Sequence, residues 1–217
     1  LDGLAYRYRY DSRNRLVEKK LPGRAVEYIF YDPLDRPILT QDGNMRGSDQ
    51  YFFTKYDALD RVTYTGLYTH DFTGTTQAAI QGEIDTLIAS LDLHEERTTF
   101  PNTINGTSLY YTKNAFPATA AEMDVHTVSY YDSYDDVAAT GIPPATNYFG
   151  TSITTATKGL PTVSTVRVLD VSPQKWITTV MGYDAKGREI YTLTEDPYLE
   201  KTDLTESLLD FTGRVLQ

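Results

Sequence analysis

One six-residue run recurs along this chain, and internal repetition constrains a fold more than any isolated motif does. Tyr10-Asp11-Ser12-Arg13-Asn14-Arg15 returns as Tyr31-Asp32-Pro33-Leu34-Asp35-Arg36, as Tyr56-Asp57-Ala58-Leu59-Asp60-Arg61 and as Tyr183-Asp184-Ala185-Lys186-Gly187-Arg188. Two looser copies keep the spacing. Leu209-Asp210-Phe211-Thr212-Gly213-Arg214 lacks the tyrosine, and Tyr131-Asp132-Ser133-Tyr134-Asp135-Asp136 lacks the arginine.

Each position of the run has a physical reading. An aspartate at the start of a turn accepts from backbone N–H groups ahead of it, and Pro33 supplies the φ that the next position of a type I turn needs. The fifth position is Asn14, Asp35, Asp60, Asp135, Gly187 or Gly213, the short set of residues that tolerates φ > 0. A type I turn closed by one left-handed residue is a common β-hairpin connection, so each copy reads as a hairpin corner. The spacing predicts positive φ at 14, 35, 60, 187 and 213.

The flanks agree. Tyr6, Tyr8 and Tyr10 alternate with Arg7 and Arg9, and Glu27, Ile29 and Tyr31 alternate with Val26, Tyr28 and Phe30, at the period of a strand. The residues after Arg15, Arg61 and Arg188 have the β-branched and aromatic bias of return strands. A tyrosine stacked on its counterpart in the next hairpin would repeat an aromatic contact along the sheet, at about 0.5–1.5 kcal/mol per pair.

On these residues the chain resembles the tyrosine-aspartate (YD) repeats of Rhs-type proteins, in the form found in Bacteroidetes-like sequences. The Glu18 to Gly23 run and Thr157-Lys158-Gly159-Leu160-Pro161-Thr162 carry the same resemblance. It implies a mainly β fold, an antiparallel hairpin sheet forming a fragment of a coiled β shell. In bacterial toxin systems such a shell encloses a C-terminal effector, and in animal relatives it supports adhesion. The Rhs core with its self-cleavage site and a variable toxin tail are not found here.

Residues 1–64 carry three corners, spaced 21 and then 25 residues apart. Residues 65–128 lose the period and read as an insertion, and 129–217 resume it within a single 217-residue repeat region. In the insertion Ile80, Ile84, Leu87, Ile88 and Leu91 make an apolar stripe, predicting one helix near 76–91 capped by Thr75 or Thr76 and docked on the sheet. Gly82 weakens it by about 1 kcal/mol relative to alanine. Residues 97–127 read as loops with short strands such as Ser108–Tyr111, Gly141 to Thr157 as a long connection, and Val163–Val171 and Lys175–Tyr183 as strands. Asn105-Gly106-Thr107 fits a glycosylation sequon, a triplet that arises easily by chance.

The formal charge of -10 argues against nucleic acid or anionic membrane as partner. Residues 1–24 nonetheless hold seven basic residues against three acidic, leaving 13 against 27 for the rest of the 20 and 30. The partners that the resemblance implies are the remainder of a larger polypeptide, an enclosed effector, or a surface glycan or protein. No run is apolar enough to span a bilayer. With no cysteine there is neither a disulfide framework nor a thiolate metal site, and a secreted or cell-surface location follows from the resemblance.

No catalytic constellation emerges. His70, His94 and His126 lack metal-ligand spacing, the repeat aspartates are turn caps rather than a calcium loop, and no cofactor or metal site is expected. Glu83, Asp85, Glu95, Glu96, Glu195 and Asp196 can all be nominated for a glycoside hydrolase, but nothing in their spacing selects two. Two rival readings remain beside the non-catalytic wall segment, namely that hydrolase and a recognition module presenting exposed aromatics such as Tyr110, Tyr111, Tyr148 and Phe149. The open edges of such a wall are expected at Tyr6–Tyr10 and at Arg214–Gln217.

Overall fold

The computed structural model describes residues 2–135, 147–148 and 150–217. The chain is mainly β, with antiparallel pairing throughout the repeat strands and, among the described residues, one α-helix. In order, the elements are β1 (Arg7–Tyr10), β2 (Leu16–Lys20), β3 (Glu27–Tyr31), β4 (Pro37–Gln41), β5 (Gln50–Tyr56), β6 (Val62–Thr69) and α1 (Gln77–Ile88). Then come β7 (Arg97–Ile104), β8 (Thr107–Tyr111), β9 (Met123–Tyr131), β10 (Asn147–Tyr148), β11 (Thr151–Ser152), β12 (Pro161–Val168), β13 (Lys175–Tyr183), β14 (Glu189–Asp196) and β15 (Lys201–Glu206).

The chain divides into two compact units, Leu1–Val125 and His126–Gln217. In the first, β1 to β6 form a meander in sequence order. The start of β9 lies so close to β6 that a Cβ on Gly66 would sit 2.0 Å from the carbonyl oxygen of Asp124, which is why that position has no side chain. In the second unit the order is β9, β12, β13, β14, β15.

Strand alternation places the core of the first unit. Tyr51, Phe53 and Lys55 point inward from β5 while Phe52 is 50% exposed. Buried rings meet edge-on across strands, Phe30 with Tyr51 at 6.0 Å and Phe53 with Tyr64 at 6.1 Å. The expected stack of corner tyrosines does not form. Tyr10 and Tyr31 end β1 and β3, which β2 separates. What covers Tyr31 is the Arg15 guanidinium, 4.7 Å from the ring centroid.

The helix forms where its stripe predicts, with Thr76 as N-cap accepting from the Ala79 N–H at 3.3 Å. Ile80, Ile84 and Ile88 are buried. Leu87 is 42% exposed, and Leu91 lies beyond the helix end. Docking also uses two amides, one turn apart. β2 pairs with β3 only at Glu27 and Tyr28 and then diverges, which leaves the β2-facing polar groups of Ile29 and Tyr31 without a strand partner. Gln77 Nε2 donates to the Ile29 carbonyl at 2.9 Å; Gln81 accepts from the Tyr31 N–H at 3.0 Å and donates to its carbonyl at 2.9 Å. The helix thus completes a strand that the sheet leaves off, because buried backbone groups must find partners.

Two other expectations change. Residues 97–104 form a full strand, hairpinned to β8 through Asn105 and Gly106 at φ 44 and 83. The sequon triplet is thus a two-residue hairpin turn. At the C-terminal end, Arg214–Gln217 is no strand: Val215 makes a single bridge to Leu209, and the edge strand is β15. Most of the Gly141 to Thr157 connection falls outside the described residues.

Ile84→Ala, removing the fully buried centre of the stripe, is expected to lower stability by about 2–5 kcal/mol, and Leu87→Ala by less than about 0.5 kcal/mol, in chemical denaturation. Amide exchange across α1 should be slow in the native protein and fast in the Ile84 variant.

Candidate functional site

The residues singled out by repetition form five corners of one construction. Asn14, Asp35, Asp60, Gly187 and Gly213 have φ of 60, 64, 61, 75 and 91. In each corner the aspartate N–H donates to the carbonyl four residues on, and its own carbonyl accepts from the N–H of the left-handed residue. The aspartate Oδ1 accepts two further backbone N–H groups at 2.8–3.0 Å, from positions two and four ahead: Asp11, Asp32, Asp57, Asp184 and Asp210 all do this. The Oδ2 of Asp11, Asp32, Asp57 and Asp184 takes the Nε of Arg15, Arg36, Arg61 and Arg188 at 2.7 Å. In the last corner the Thr212 hydroxyl donates to Asp210 at 2.6 Å, and Arg214 is exposed.

Arg15, Arg36 and Arg188 also reach forward into the next corner. Arg15 Nη1 donates to Asp35 and Arg36 Nη1 to Asp60, both at 2.8 Å. Arg36 covers Tyr56 at 4.8 Å, as Arg15 covers Tyr31. The tyrosine answers backward: Tyr31 donates to the Leu16 carbonyl and Tyr56 to that of Pro37, both at 2.8 Å. In the second unit Gly187 and Gly213 offer no carboxylate, so Arg188 Nη1 donates to the Asp210 carbonyl instead, at 2.8 Å.

The copy at Tyr131 is built differently from its sequence. Positive φ falls on Asp132 (75) and not on Asp135, and Asp136 lies outside the described residues. The missing half of the corner comes from residues 157–161. Asp132 N–H donates to the Leu160 carbonyl at 3.0 Å, Gly159 (φ 89) donates to Asp132 Oδ1 at 2.6 Å, and Tyr131 pairs with Pro161. Tyr183 then donates to the Pro161 carbonyl at 2.7 Å, as Tyr31 and Tyr56 do to theirs. The corner is whole, with an insertion inside it. The Gly159-Leu160-Pro161 run, matching Asp35-Arg36-Pro37 in position, was the signal for it.

A second centre was not foreseen. Lys55 and Glu95, both 1% exposed, pair at 2.6 Å. Lys55 Nζ also donates to the Ala115 carbonyl at 2.8 Å. Glu95 accepts from the Tyr64 hydroxyl at 3.2 Å, the N–H groups of Asn114 and Ala115 at 3.1 Å, and the Thr112 hydroxyl at 2.5 Å. Burial pushes the Lys55 ammonium down, against the pull of Glu95, and burial beside that carboxylate pushes the Tyr64 phenol up. The pair ties the insertion to β5 and β6, and the Glu95 N–H adds a bond to the Tyr56 carbonyl at 2.8 Å. The inward parity of Tyr51, Phe53 and Lys55 was the available signal, since an inward lysine demands a buried acceptor.

The other nominated carboxylates are dispersed in local tasks. Glu83 accepts from the Thr73 N–H, the Thr73 hydroxyl and the Gly74 N–H ahead of α1. Asp85 accepts from Gln81, Asp196 caps the turn at Tyr198 and Leu199, Glu96 is exposed and Glu195 sits opposite Thr178 in β14. His70 pairs with Glu122 at 3.1 Å. Among the described residues no group of three or more histidine or carboxylate side chains is placed to hold a metal ion. Of the aromatics expected on a recognition surface, Tyr111 is buried, while Phe149 and the side chain of Tyr148 lie outside the described residues.

No protein-family model matches the sequence, and no curated protein matches it. Solved structures do align with it. A crystal structure of TcdB2-TccC3-TEV gives a TM-score of 0.24 at 14% identity, covering 97% of this chain and 12% of that one. TcdB2-TccC3 without its hypervariable C-terminal region gives 0.25 at 10% identity, with 97% and 10% covered. TcdB2-TccC3 gives 0.25 at 14%, with 97% and 12% covered. The chain spans about a tenth of the length of those proteins.

Glu95→Leu leaves Lys55 buried without its counter-charge and is expected to cost about 3–5 kcal/mol, whereas Lys55→Met combined with Glu95→Leu costs less than the single change; a double-mutant denaturation cycle reads this. A second expectation concerns acid. Desolvation raises the Asp11 and Asp184 carboxyls, but the corner N–H groups and the arginines outweigh it and hold both below the usual range. An aspartate with a depressed folded pKa contributes stability that is complete above about pH 3.9 and is lost as pH falls through the folded value. Asp184→Asn should therefore destabilise at neutral pH and flatten the acid limb of the stability curve.

Proposed function

We propose that this chain is a non-catalytic wall segment of a YD-repeat, Rhs-like β shell. The parent is a larger secreted or cell-surface protein, and the shell encloses or delivers a C-terminal effector. The observation that carries this reading is the forward coupling of corners. Arg15 and Arg36 each grip their own aspartate, the next corner's aspartate and the next corner's tyrosine, a pattern that links successive corners and suits a wall of many hairpins.

The repeated chemistry of the corners is spent on backbone. Asp11, Asp32, Asp57, Asp184 and Asp210 each accept two main-chain N–H groups, and the first four also accept an arginine Nε, which leaves them occupied as turn locks rather than available as acids or bases. Lys55 and Glu95, the most buried charged pair, neutralise each other. Protein surfaces inside such a wall are the natural partner, and no cofactor enters the reading.

The test is protease protection in the parent polypeptide. With the wall intact, a passenger C-terminal to this segment resists protease, and Arg36→Ala, which uncouples two corners, makes it cleavable at least tenfold faster. A passenger that is digested equally fast in both proteins sinks the enclosure reading. Turnover of any glycan substrate by the isolated chain, lost on substitution of a carboxylate, sinks the non-catalytic one.

A further inference from the structure

Three corners share a gap in the sheet. In each, the strand that carries the corner tyrosine loses its partner from the preceding hairpin early: β3 pairs with β2 up to Tyr28, β5 with β4 up to Phe53, and β13 with β12 up to Val180. Tyr31, Tyr56 and Tyr183 therefore end their strands beside a wedge that the tyrosine hydroxyl bridges, and their main-chain carbonyls have no strand to pair with on that side. In all three wedges a segment from outside the repeat hairpins supplies the donor. Gln81 Nε2 donates to the Tyr31 carbonyl at 2.9 Å, the Glu95 N–H to that of Tyr56 at 2.8 Å, and the Thr154 N–H to that of Tyr183 at 2.8 Å.

The residue before each tyrosine is buried, and it differs between the wedges. Phe30 fills its own space, and α1 approaches with an amide. Lys55 meets the Glu95 carboxylate, so that one residue of the insertion makes both contacts. Gly182 has no side chain, and Ile153, the neighbour of Thr154, enters the space instead: a Cβ on Gly182 would lie 2.5 Å from Ile153 Cδ1 and 3.1 Å from Tyr191 Cβ. Gly182 does not have positive φ, so space and not backbone conformation keeps a side chain from this position.

We propose that the wedge is a docking site for chain that does not belong to the repeat, with the tyrosine carbonyl as its anchor and the preceding residue as its selector. A lysine there selects a carboxylate, because a buried ammonium without a counter-charge is costly. A glycine selects a branched aliphatic side chain, because a space of that shape left unfilled forfeits packing contacts. A phenylalanine closes the space to both. The ligand of the Lys55 and Gly182 sites is thus a short segment that donates one main-chain N–H and brings one side chain of the selected kind. Corners keep their tyrosine, aspartate and left-handed residue unchanged, and different insertions are held by changing a single neighbour. This docking needs no enclosed effector, so it stands or falls apart from the shell reading.

Amide exchange on the intact chain, resolved by NMR at single residues, tests it. The Thr154 and Glu95 N–H groups should both exchange slowly in the wild-type protein. Gly182→Phe, which installs the residue type found at position 30, should speed Thr154 exchange at least about tenfold and leave Glu95 unchanged, because the release is local. Adding Ile153→Ala to the same chain should slow Thr154 again, since the smaller side chain no longer needs the space. Ile153→Asp leaves the wall itself unaltered and should release Thr154 to the same extent, which decides the matter if the phenylalanine variant does not fold. Fast exchange at Thr154 in the wild-type protein overturns the proposal. So does slow exchange that Ile153→Asp, or a folded Gly182→Phe protein, retains at Thr154. A double variant no slower than Gly182→Phe overturns the selector role, and acceleration of Thr154 and Glu95 together by Ile153→Asp reveals general loosening and overturns the site.

Discussion

The structure depends on one aspartate doing four things at once. In each full corner the aspartate closes the turn through its own N–H and carbonyl, accepts two main-chain N–H groups on Oδ1, and holds the corner's arginine on Oδ2. An ion pair of this kind on a free surface is worth at most about 1 kcal/mol. Here the backbone N–H groups orient the carboxylate beforehand, and charge-assisted bonds to a fixed acceptor are about twice as strong as neutral ones. A guanidinium held at Nε, and in Arg36 and Arg188 at Nη2 as well, still has Nη1 to point onward. That is why the next corner is engaged by Arg15 and Arg36 rather than by a lysine, whose single ammonium could not serve both sides.

The insertion adapts to this wall by supplying what the wall lacks. Where β2 and β3 part, Gln77 and Gln81 present amides at one-turn spacing to a strand edge, and the helix docks without leaving buried polar groups unpaired. Arg36 receives a further acceptor from the insertion, the carbonyl of Leu93. The Lys55–Glu95 pair then sets the position of the segment on either side of the β7–β8 hairpin. Two buried charges add little net stability over a well-packed apolar pair, and removing one alone is severe. Their contribution is to permit one docking position and penalise others, since any slip strands a charge.

The split corner at Asp132 extends the same logic. Geometry that elsewhere lies within six consecutive residues is assembled from the end of β9 and from Gly159 and Leu160, and the downstream tyrosine engages it as though the chain were continuous. A corner is thus recognised by its neighbours through carbonyl and guanidinium positions. The intervening chain departs and returns while the corner keeps its bonds to both sides.

What could be read in the residues alone follows from distance along the chain. Positive φ at 14, 35, 60, 187 and 213, the aspartate caps and the hairpins all arise from contacts within four residues, so the local run contains both partners. The apolar stripe of Ile80, Ile84 and Ile88 repeats every helical turn and was visible for the same reason. Long-range closure was not contained in any run. Lys55 meets Glu95 across 40 residues, Tyr31 meets Gln81 across 50, and Asp132 meets Gly159 across 27. Each of these partners looks ordinary in its own neighbourhood. Burial, the divergence of β2 from β3 and the need to pair every buried polar group select them, and those conditions exist only once the strands have met.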